Sequence, residues 1–297
     1  MFSRPFASVC MITYNHEKYI SQSIESILMQ KTTFPYELVI GEDFSQDNTR
    51  KICLDYKKRF PETISLRLSK RNLGPVINFF ENLKSCLGKY IAFCEGDDYW
   101  IDPYKLQKQI DFLEKNKDFS LCFHNTLIFN ESRKFSPKYF CPTFNEDIFF
   151  TENVINNYFI HTSSMVCRKT AVTELPSWVY EIYNGDWGLQ MIVSTKGKIK
   201  YLDEVMSIYR KNDGALSGGP GKNTEFINLQ KIKLLTFFNE YTDFYYKDLI
   251  NTRTAELLKQ IKAYKLRKSS KFLYSLVQPR RTIIKLLNKL SRLLSLI

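Results

Sequence analysis

Tyr90-Ile91-Ala92-Phe93-Cys94-Glu95-Gly96-Asp97-Asp98-Tyr99-Trp100 is the stretch from which the fold can be read. Its first five residues are apolar without alternation, the pattern of a strand buried on both faces, which is the habit of a parallel sheet. Three carboxylates then fall within four residues, where that strand ends. Ligands of open α/β sheets bind beyond the carboxyl ends of the strands. Crowded carboxylates raise one another's pKa. A divalent cation relieves that repulsion, and Mg²⁺ is commonly held by one or two carboxylates together with substrate phosphates. The stretch therefore reads as a metal–diphosphate site, with a solvated acidic turn as the plain alternative, since Gly-Asp-Asp is also good turn chemistry.

Upstream, strand and helix patterns alternate over the first 115 residues. Strands are expected at Ser8–Thr13, Tyr36–Ile40 and Ile64–Leu68. Between them lie a helical stripe of Ile20, Ile24, Ile27 and Leu28, a helix capped by Asp47, and a helix opened by Pro75. Asp102-Pro103 opens another, with Leu106, Ile110 and Leu113 on one face. This alternation predicts an α/β fold: a mostly parallel central sheet with helices on both faces, joined by right-handed crossovers.

Downstream the pattern is less regular. Strands are expected at Ser120–Phe123, Ser164–Arg168 and Lys198–Leu202, a long loop at 130–145, and a helix at Gly185–Thr195. Five glycines and prolines between 211 and 224 mark a linker. Residues 1–222 are thus expected to form the α/β domain and 223–297 a helical, basic C-terminal extension. Its last part, about 279–297, is read as placing Ile283, Ile284, Leu286, Leu287, Leu290, Leu293, Leu294 and Ile297 on one helical face, with Arg280, Arg281, Lys285, Lys289 and Arg292 mostly elsewhere.

The charge follows this division. The 297-residue chain has a net charge of +12. From Leu249 onward there are twelve Lys/Arg and one acid, Glu256, a net of +11 that leaves only +1 for the remainder. The body is nearly neutral, and the tail predicts an anionic partner. A basic amphipathic helix suits an anionic membrane surface. Packing on the domain or on a partner helix is the alternative. Nucleic acid is not expected, because the tail matches no nucleic-acid module. Seven scattered cysteines without a Cys-x-x-Cys exclude a disulfide framework or zinc site and predict reduced core thiols in a cytoplasmic protein. The N-terminus shows no signal-peptide pattern, and no run approaches eighteen apolar residues.

The other strand ends are polar as well. The first ends in Thr13-Tyr14-Asn15-His16, the second in Gly41-Glu42-Asp43-Phe44-Ser45-Gln46-Asp47, and the third is followed by Arg71-Asn72-Leu73-Gly74. In a parallel sheet these ends meet at one edge. They would supply an aromatic face for a base, a carboxylate for base or ribose donors, and an arginine for phosphate. Together with Glu95–Trp100, in this order and spacing, they resemble the motifs of family 2 glycosyltransferases over roughly residues 6–215. The resemblance implies the GT-A fold, a UDP- or dTDP-linked sugar donor, and inversion at the anomeric carbon. It implies that Thr13, Tyr14, Asn15, Asp43, Arg71 and Asp97 face the nucleotide, and that Asp97 and Asp98 meet a Mn²⁺ or Mg²⁺ on the diphosphate. Glu95 and Glu42 stand where the family often has Asp.

The resemblance also implies a later acid on the acceptor side, matched by Asp186 in Asn184-Gly185-Asp186-Trp187. An attacking hydroxyl must lose its proton, and a carboxylate within hydrogen-bond reach can take it. Asp186 is also suited to cap a helix. Trp100, His161 and Trp187 are further acceptor-side candidates, against the plainer roles of core tryptophan and structural histidine. Tyr209-Arg210 either covers the donor phosphates or forms a salt-bridged loop.

These features predict a metal-assisted inverting glycosyltransferase of polysaccharide biosynthesis, peripheral at the inner face of the membrane. It would move a sugar to a hydroxyl of a glycan or lipid-linked acceptor. A nucleotidyltransferase acting on sugar phosphates is the first rival, although no glycine- and basic-rich phosphate loop follows the first strand. A non-catalytic nucleotide- or glycan-binding module is the second.

Overall fold

The computed structural model describes residues 4–130, 138–211 and 224–269. In its first part β1 (Ala7–Thr13), α1 (Ile20–Leu28), β2 (Tyr36–Glu42), α2 (Thr49–Arg59), β3 (Ile64–Leu68), α3 (Pro75–Ser85) and β4 (Tyr90–Phe93) alternate as the pattern requires. There follow β5 (Tyr99–Trp100), α4 (Lys105–Lys115), β6 (Phe119–Asn130), β7 (Lys138–Tyr139), β8 (Ile148–Phe149), α5 (Thr151–Asn156), β9 (Val166–Arg168), α6 (Gly185–Ser194), β10 (Lys198–Lys211) and α7 (Thr224–Tyr241). A last helix, α8, covers residues 247–269.

The strands form one sheet in the order β3-β2-β1-β4-β9-β6-β10-β5, with β7 beside β6 and β8 beside β10. β3, β2, β1 and β4 are mutually parallel, and β6 is parallel to β10. β9 lies antiparallel between β4 and β6, so the two parallel sets point the same way. The reversed strands β5, β7, β8 and β9 are all short.

Alternation of side chains across each strand divides the apolar residues between two cores. Ala7, Val9 and Met11 of β1, Leu38 and Ile40 of β2, and Tyr90 and Ala92 of β4 pack with α1, α2 and α4 on one face. Cys10, Val39, Ile91 and Phe93 pack with α3, α6 and α7 on the other. Helices on both faces explain why the β4 run lacks polar alternation. α3 lies close to the sheet: Asn82 Nδ2 donates to the carbonyls of Met11 and Val39 at 2.9 Å each, and Asn78 Nδ2 to that of Gly41 at 2.8 Å. A Cβ on Gly41 would sit 2.7 Å from Asn78 Oδ1, so this approach requires glycine.

Two helix starts follow the sequence signals, whereas α4 begins at Lys105, two residues after the Pro103 expected to open it. Asp47 Oδ1 accepts the Thr49 N–H at 2.9 Å, and Pro75 is the first residue of α3. All seven cysteines are buried free thiols. Among the described residues no helix is long and apolar enough to cross a membrane.

Four expectations change. β6 continues past Phe123 to Asn130, and β10 past Leu202 to Lys211. The segment expected as a loop over 130–145 contributes β7. In β6 the polar residues His124 and Thr126 end the apolar run yet are wholly buried, and Thr126 Oγ1 bonds Ser207 Oγ at 2.9 Å across the ladder. In β10, Asp203 and Glu204 are carried by a break in register between Leu202 and Val205. The expected strand at Ser164–Arg168 begins only at Val166, after a 3-10 turn over Thr162–Ser164. The boundary at 222/223, nearly all of the linker, and the 279–297 helix lie outside the described residues.

Candidate active site

The carboxyl ends of β1, β2 and β4 are stitched together by backbone. The Asp43 N–H donates to the Thr13 carbonyl at 3.0 Å, and the Gly96 N–H to that of Ile12 at 2.9 Å. A Cβ on Gly96 would lie 2.6 Å from Thr13 Oγ1 and 2.9 Å from His16 Nδ1, so only glycine permits this closeness. Asn15 and Phe44 hold positive φ of 55° and 63°, a region costly for side chains with a Cβ. Their turns are tied together: the Asn15 N–H donates to Ser45 Oγ at 3.0 Å, and the Gln46 N–H to Asn15 Oδ1 at 2.9 Å. Thr13 points inward, its Oγ1 3.2 Å from His16 Nδ1, while the neighbouring Tyr14 is 39% exposed at the rim.

Asp43 is buried, and burial raises its pKa, opposed by hydrogen bonds to the charged form. Its Oδ1 accepts the Leu73 N–H at 2.8 Å and its Oδ2 the Gly74 N–H at 2.9 Å, so it anchors the turn after β3. Arg71 in that turn is exposed. The arginine whose charge favours ionised Asp43 is Arg67, which also donates to Asn78. Nothing in the strand pattern distinguished Arg67 from a surface residue.

The acidic stretch forms the centre. Asp98 is 1% exposed; its Oδ1 accepts the Arg210 N–H at 2.9 Å, and its Oδ2 has no hydrogen-bond partner. Burial and then the charges of Asp97 and Glu95 push its pKa well above the usual carboxylate range. Glu95, half-buried, is pushed to about 8 by burial and by the charges of Asp97 and Asp186. Asp97 Oδ2 lies 3.9 Å from His16 Nε2. Arg210 belongs to β10 rather than to a loop. Its Nε donates to the Asp97 carbonyl at 2.9 Å and its Nη2 to Gln22 Oε1 at 2.6 Å, with the guanidinium 4.7 and 5.1 Å from the ring centroids of Tyr19 and Tyr99. It fixes the acidic turn from across the sheet.

Asp186 stands in the first turn of α6, where its Oδ1 accepts the Trp187 N–H at 2.8 Å. Its Oδ2 accepts from Thr162 Oγ1 at 3.2 Å and from the Tyr158 hydroxyl. The adjacent His161 places Nε2 3.7 Å from Asp98 Oδ2, so consecutive residues bridge the two acids. The sequence marked His161-Thr162-Ser163-Ser164 without assigning Thr162 a role, and Tyr158 carried no signal.

Thr13, Asp43, Glu95, Asp97, Asp98, His161 and Asp186 therefore share one edge of the sheet. Trp100 and Trp187 do not offer faces to it. Both rings are buried, with Nε1 donating at 3.0 Å to the Ser163 carbonyl and at 2.9 Å to the Val154 carbonyl respectively. Among the described residues no three His, Cys, Asp or Glu side chains form a ready-made metal cage. The partnerless Asp98 Oδ2 beside Asp97 and Glu95 nonetheless fits a hard cation that arrives on a diphosphate and needs one or two protein carboxylates.

The family model described as Glycosyl transferase family 2 matches residues 8–173, and the chain belongs to that family. The uncharacterized protein Rv1520 of Mycobacterium tuberculosis is 34% identical over 206 residues, which is 69% of this chain but 58% of that protein. Among solved structures, S. aureus TarS 1-349 in complex with UDP-GlcNAc superposes with a TM-score of 0.64 at 20% identity, covering 85% of this chain and 71% of that one. The mannosyltransferase PcManGT of Pyrobaculum calidifontis, in complex with GDP-Man and Mn²⁺, gives 0.54 at 13% identity, covering 94% and 83%. At those identities the two structures speak for the fold alone.

Proposed function

We propose that this chain is an inverting glycosyltransferase that moves a sugar from a nucleotide-sugar donor to a hydroxyl of a glycan or lipid-linked acceptor. The observation that carries the reading is the bridge through His161 and Thr162, which places Asp186 beside the Glu95–Asp98 turn. Tyr14, Asp43 and the turn it anchors would receive the nucleoside, with the diphosphate toward Asp97 and Asp98. A UDP-linked donor is the first choice, since TarS is seen with UDP-GlcNAc.

Asp186 would act as base. An acceptor hydroxyl hydrogen-bonded to its carboxylate transfers its proton there as the oxygen attacks the anomeric carbon. The bond from that carbon to the diphosphate oxygen breaks on the opposite side, through an oxocarbenium-like transition state, and the nucleoside diphosphate leaves. Tyr158 and Thr162 hold the Asp186 carboxylate in place. Arg210 holds the acidic turn, and Asp97 and Asp98 would bind Mn²⁺ or Mg²⁺. Such a cation, when bound, stabilises charge on the departing diphosphate. The basic segment beyond Leu249, including Lys259, Lys262, Lys265, Arg267 and Lys268 of α8, supports docking at an anionic, cytoplasmic membrane surface.

The test is donor turnover with Mn²⁺ and no added acceptor. Slow release of nucleoside diphosphate from a UDP-sugar, lost in Asp186→Asn and Asp98→Ala, supports transfer. Pyrophosphate release would assign the site to nucleotidyl transfer. Folded protein that turns over no donor would make it a binding module.

A further inference from the structure

A groove of about 1050 Å³ lies away from the acidic edge, between β7, β8 and the irregular part of β10. That is at the upper end of the roughly 300–1,000 Å³ typical of small-molecule sites, and the groove is open, so more than one linked unit can lie in it. Tyr139 and Phe150 line it and remain 61% and 49% exposed, two aromatic rings in search of a partner. Glu146, Asp147, Asp203 and Glu204 line it together with Lys198, while Lys200 and Lys108 reach Asp147 and Glu204 from beside it. Glu146 and Asp203 leave the groove slightly acidic in a chain of net charge +12, so its acidity is local.

Aromatic faces and carboxylates together are the chemistry of saccharide binding. Rings cover the apolar faces of sugars, and carboxylates accept pairs of hydroxyl hydrogen bonds. The same carboxylates repel uronate- or phosphate-bearing polymers. Several acids are held in position by neighbours: Asp147 pairs with Lys200, Glu204 with Lys108, and Asp203 Oδ1 accepts the Tyr201 hydroxyl at 3.0 Å. The groove also connects to the candidate site. Phe140, next to Tyr139, packs at 5.9 Å on Tyr158 and at 4.8 Å on His161, and Tyr158 bonds Asp186. Along β10, Val205 at the groove is five positions before Arg210 at Asp98, about 16 Å at the rise of an extended strand.

We propose that this groove binds the saccharide chain of the acceptor, uncharged or amino-bearing, several units away from the hydroxyl presented to Asp186. The inference rests on the glycosyltransferase reading for its connection to catalysis, but its test does not. The full chain carrying Asp186→Asn is applied to an array of uncharged, amino-bearing and anionic oligosaccharides, and those retained are titrated by calorimetry. Uncharged or amino-bearing chains bind, and Tyr139→Ala and Phe150→Ala each weaken them by about three- to tenfold. Asp203→Asn, which keeps the shape of the groove, weakens them as well. Donor hydrolysis by the otherwise unaltered chain is unchanged by Tyr139→Ala. Retention of no uncharged or amino-bearing saccharide overturns the proposal, as does affinity indifferent to all three substitutions. Selective binding of anionic chains, or of a basic peptide instead of a saccharide, overturns it too. Saccharide binding without any donor turnover leaves the groove standing and refutes the transferase reading.

Discussion

His161 Nε2 faces Asp98 Oδ2 across 3.7 Å, and no described group donates a hydrogen bond to that oxygen. Burial holds the imidazole neutral, its pKa pushed down to about 3, so it gives the carboxylate no counter-charge. A buried carboxylate oxygen without a donor destabilises the fold and is suited to a ligand. Asp98→Asn should therefore leave the ligand-free protein at least as stable as the parent, and more so as pH rises, because the acceptor for Arg210 N–H survives and no buried charge has to form. The same variant should lose the rise in Tm that UDP with Mn²⁺ gives the parent. A lower Tm together with an intact response to the cation would contradict this.

Glu95 sets a pH dependence of stability. Its folded pKa, about 8, lies above the ordinary 4.5. Between those values the folded state keeps a proton that the unfolded state releases, so this group's contribution falls as pH rises, by up to about 1.4 kcal/mol per unit. Urea unfolding at pH 5.5 and 7.5 should show a smaller loss of stability in Glu95→Gln than in the parent. Asp98 acts in the same direction, so part of the slope should remain.

Lys105 has the opposite sign. It is wholly buried under Trp100, with Nζ 4.0 Å from the ring centroid and bonded to Gln109 Oε1 at 2.8 Å. Burial lowers its pKa to about 7. Between about 7 and the free-lysine value near 10.4 the unfolded state binds more protons, so stability gains from this group as pH rises. Lys105→Met should raise stability at pH 7 and flatten the slope from pH 7 to 9. A slope unchanged by the substitution would place the titration elsewhere.

Asp186→Asn should reduce turnover by about 10²- to 10⁴-fold, the range for loss of a general base, while the Tm shift produced by UDP stays as in the parent. Tyr158→Phe removes one of two hydroxyl donors to Oδ2 and should lower kcat by about tenfold with little change in KM for the donor. Loss of UDP binding in either variant would move these residues to the nucleotide side.

Gly96→Ala inserts a methyl group against Thr13 and His16 where β1 and β4 end. It should destabilise the protein by about 1–3 kcal/mol and weaken UDP binding, because the strand ends must separate. Chemical denaturation and calorimetry read the two effects separately. A variant of normal stability and affinity would show that this contact yields freely.

The first half of the fold was legible because β1–β4 and their helices obey simple periods, and because each strand buried on both faces reads as an unbroken apolar run. Asp43, Asp97 and Asp98 were legible as acids at strand ends, whereas Asp186 was picked out by the family resemblance. The second half hid its structure in buried polar residues. His124 and Thr126 look like the end of a strand until Ser207 is seen across the ladder, and Asp203-Glu204 look like a turn until the break in register absorbs them. Trp100 and Trp187 illustrate the reverse error. A tryptophan beside an acid suggests a sugar platform, yet each indole N–H is spent on a buried carbonyl. The Tyr158–Asp186 bond joins residues 28 positions apart through a segment without periodicity, so no local pattern could announce it.

The reversed β9 has an engineering consequence. Because it runs against β4 and β6, its beginning, not its end, lies at the ligand edge, so the 3-10 turn just before it carries Thr162 to Asp186. The turn ahead of β9 is thus the place to rebuild the surroundings of Asp98 and Asp186 while the strand ends that hold Thr13 and Asp43 stay as they are.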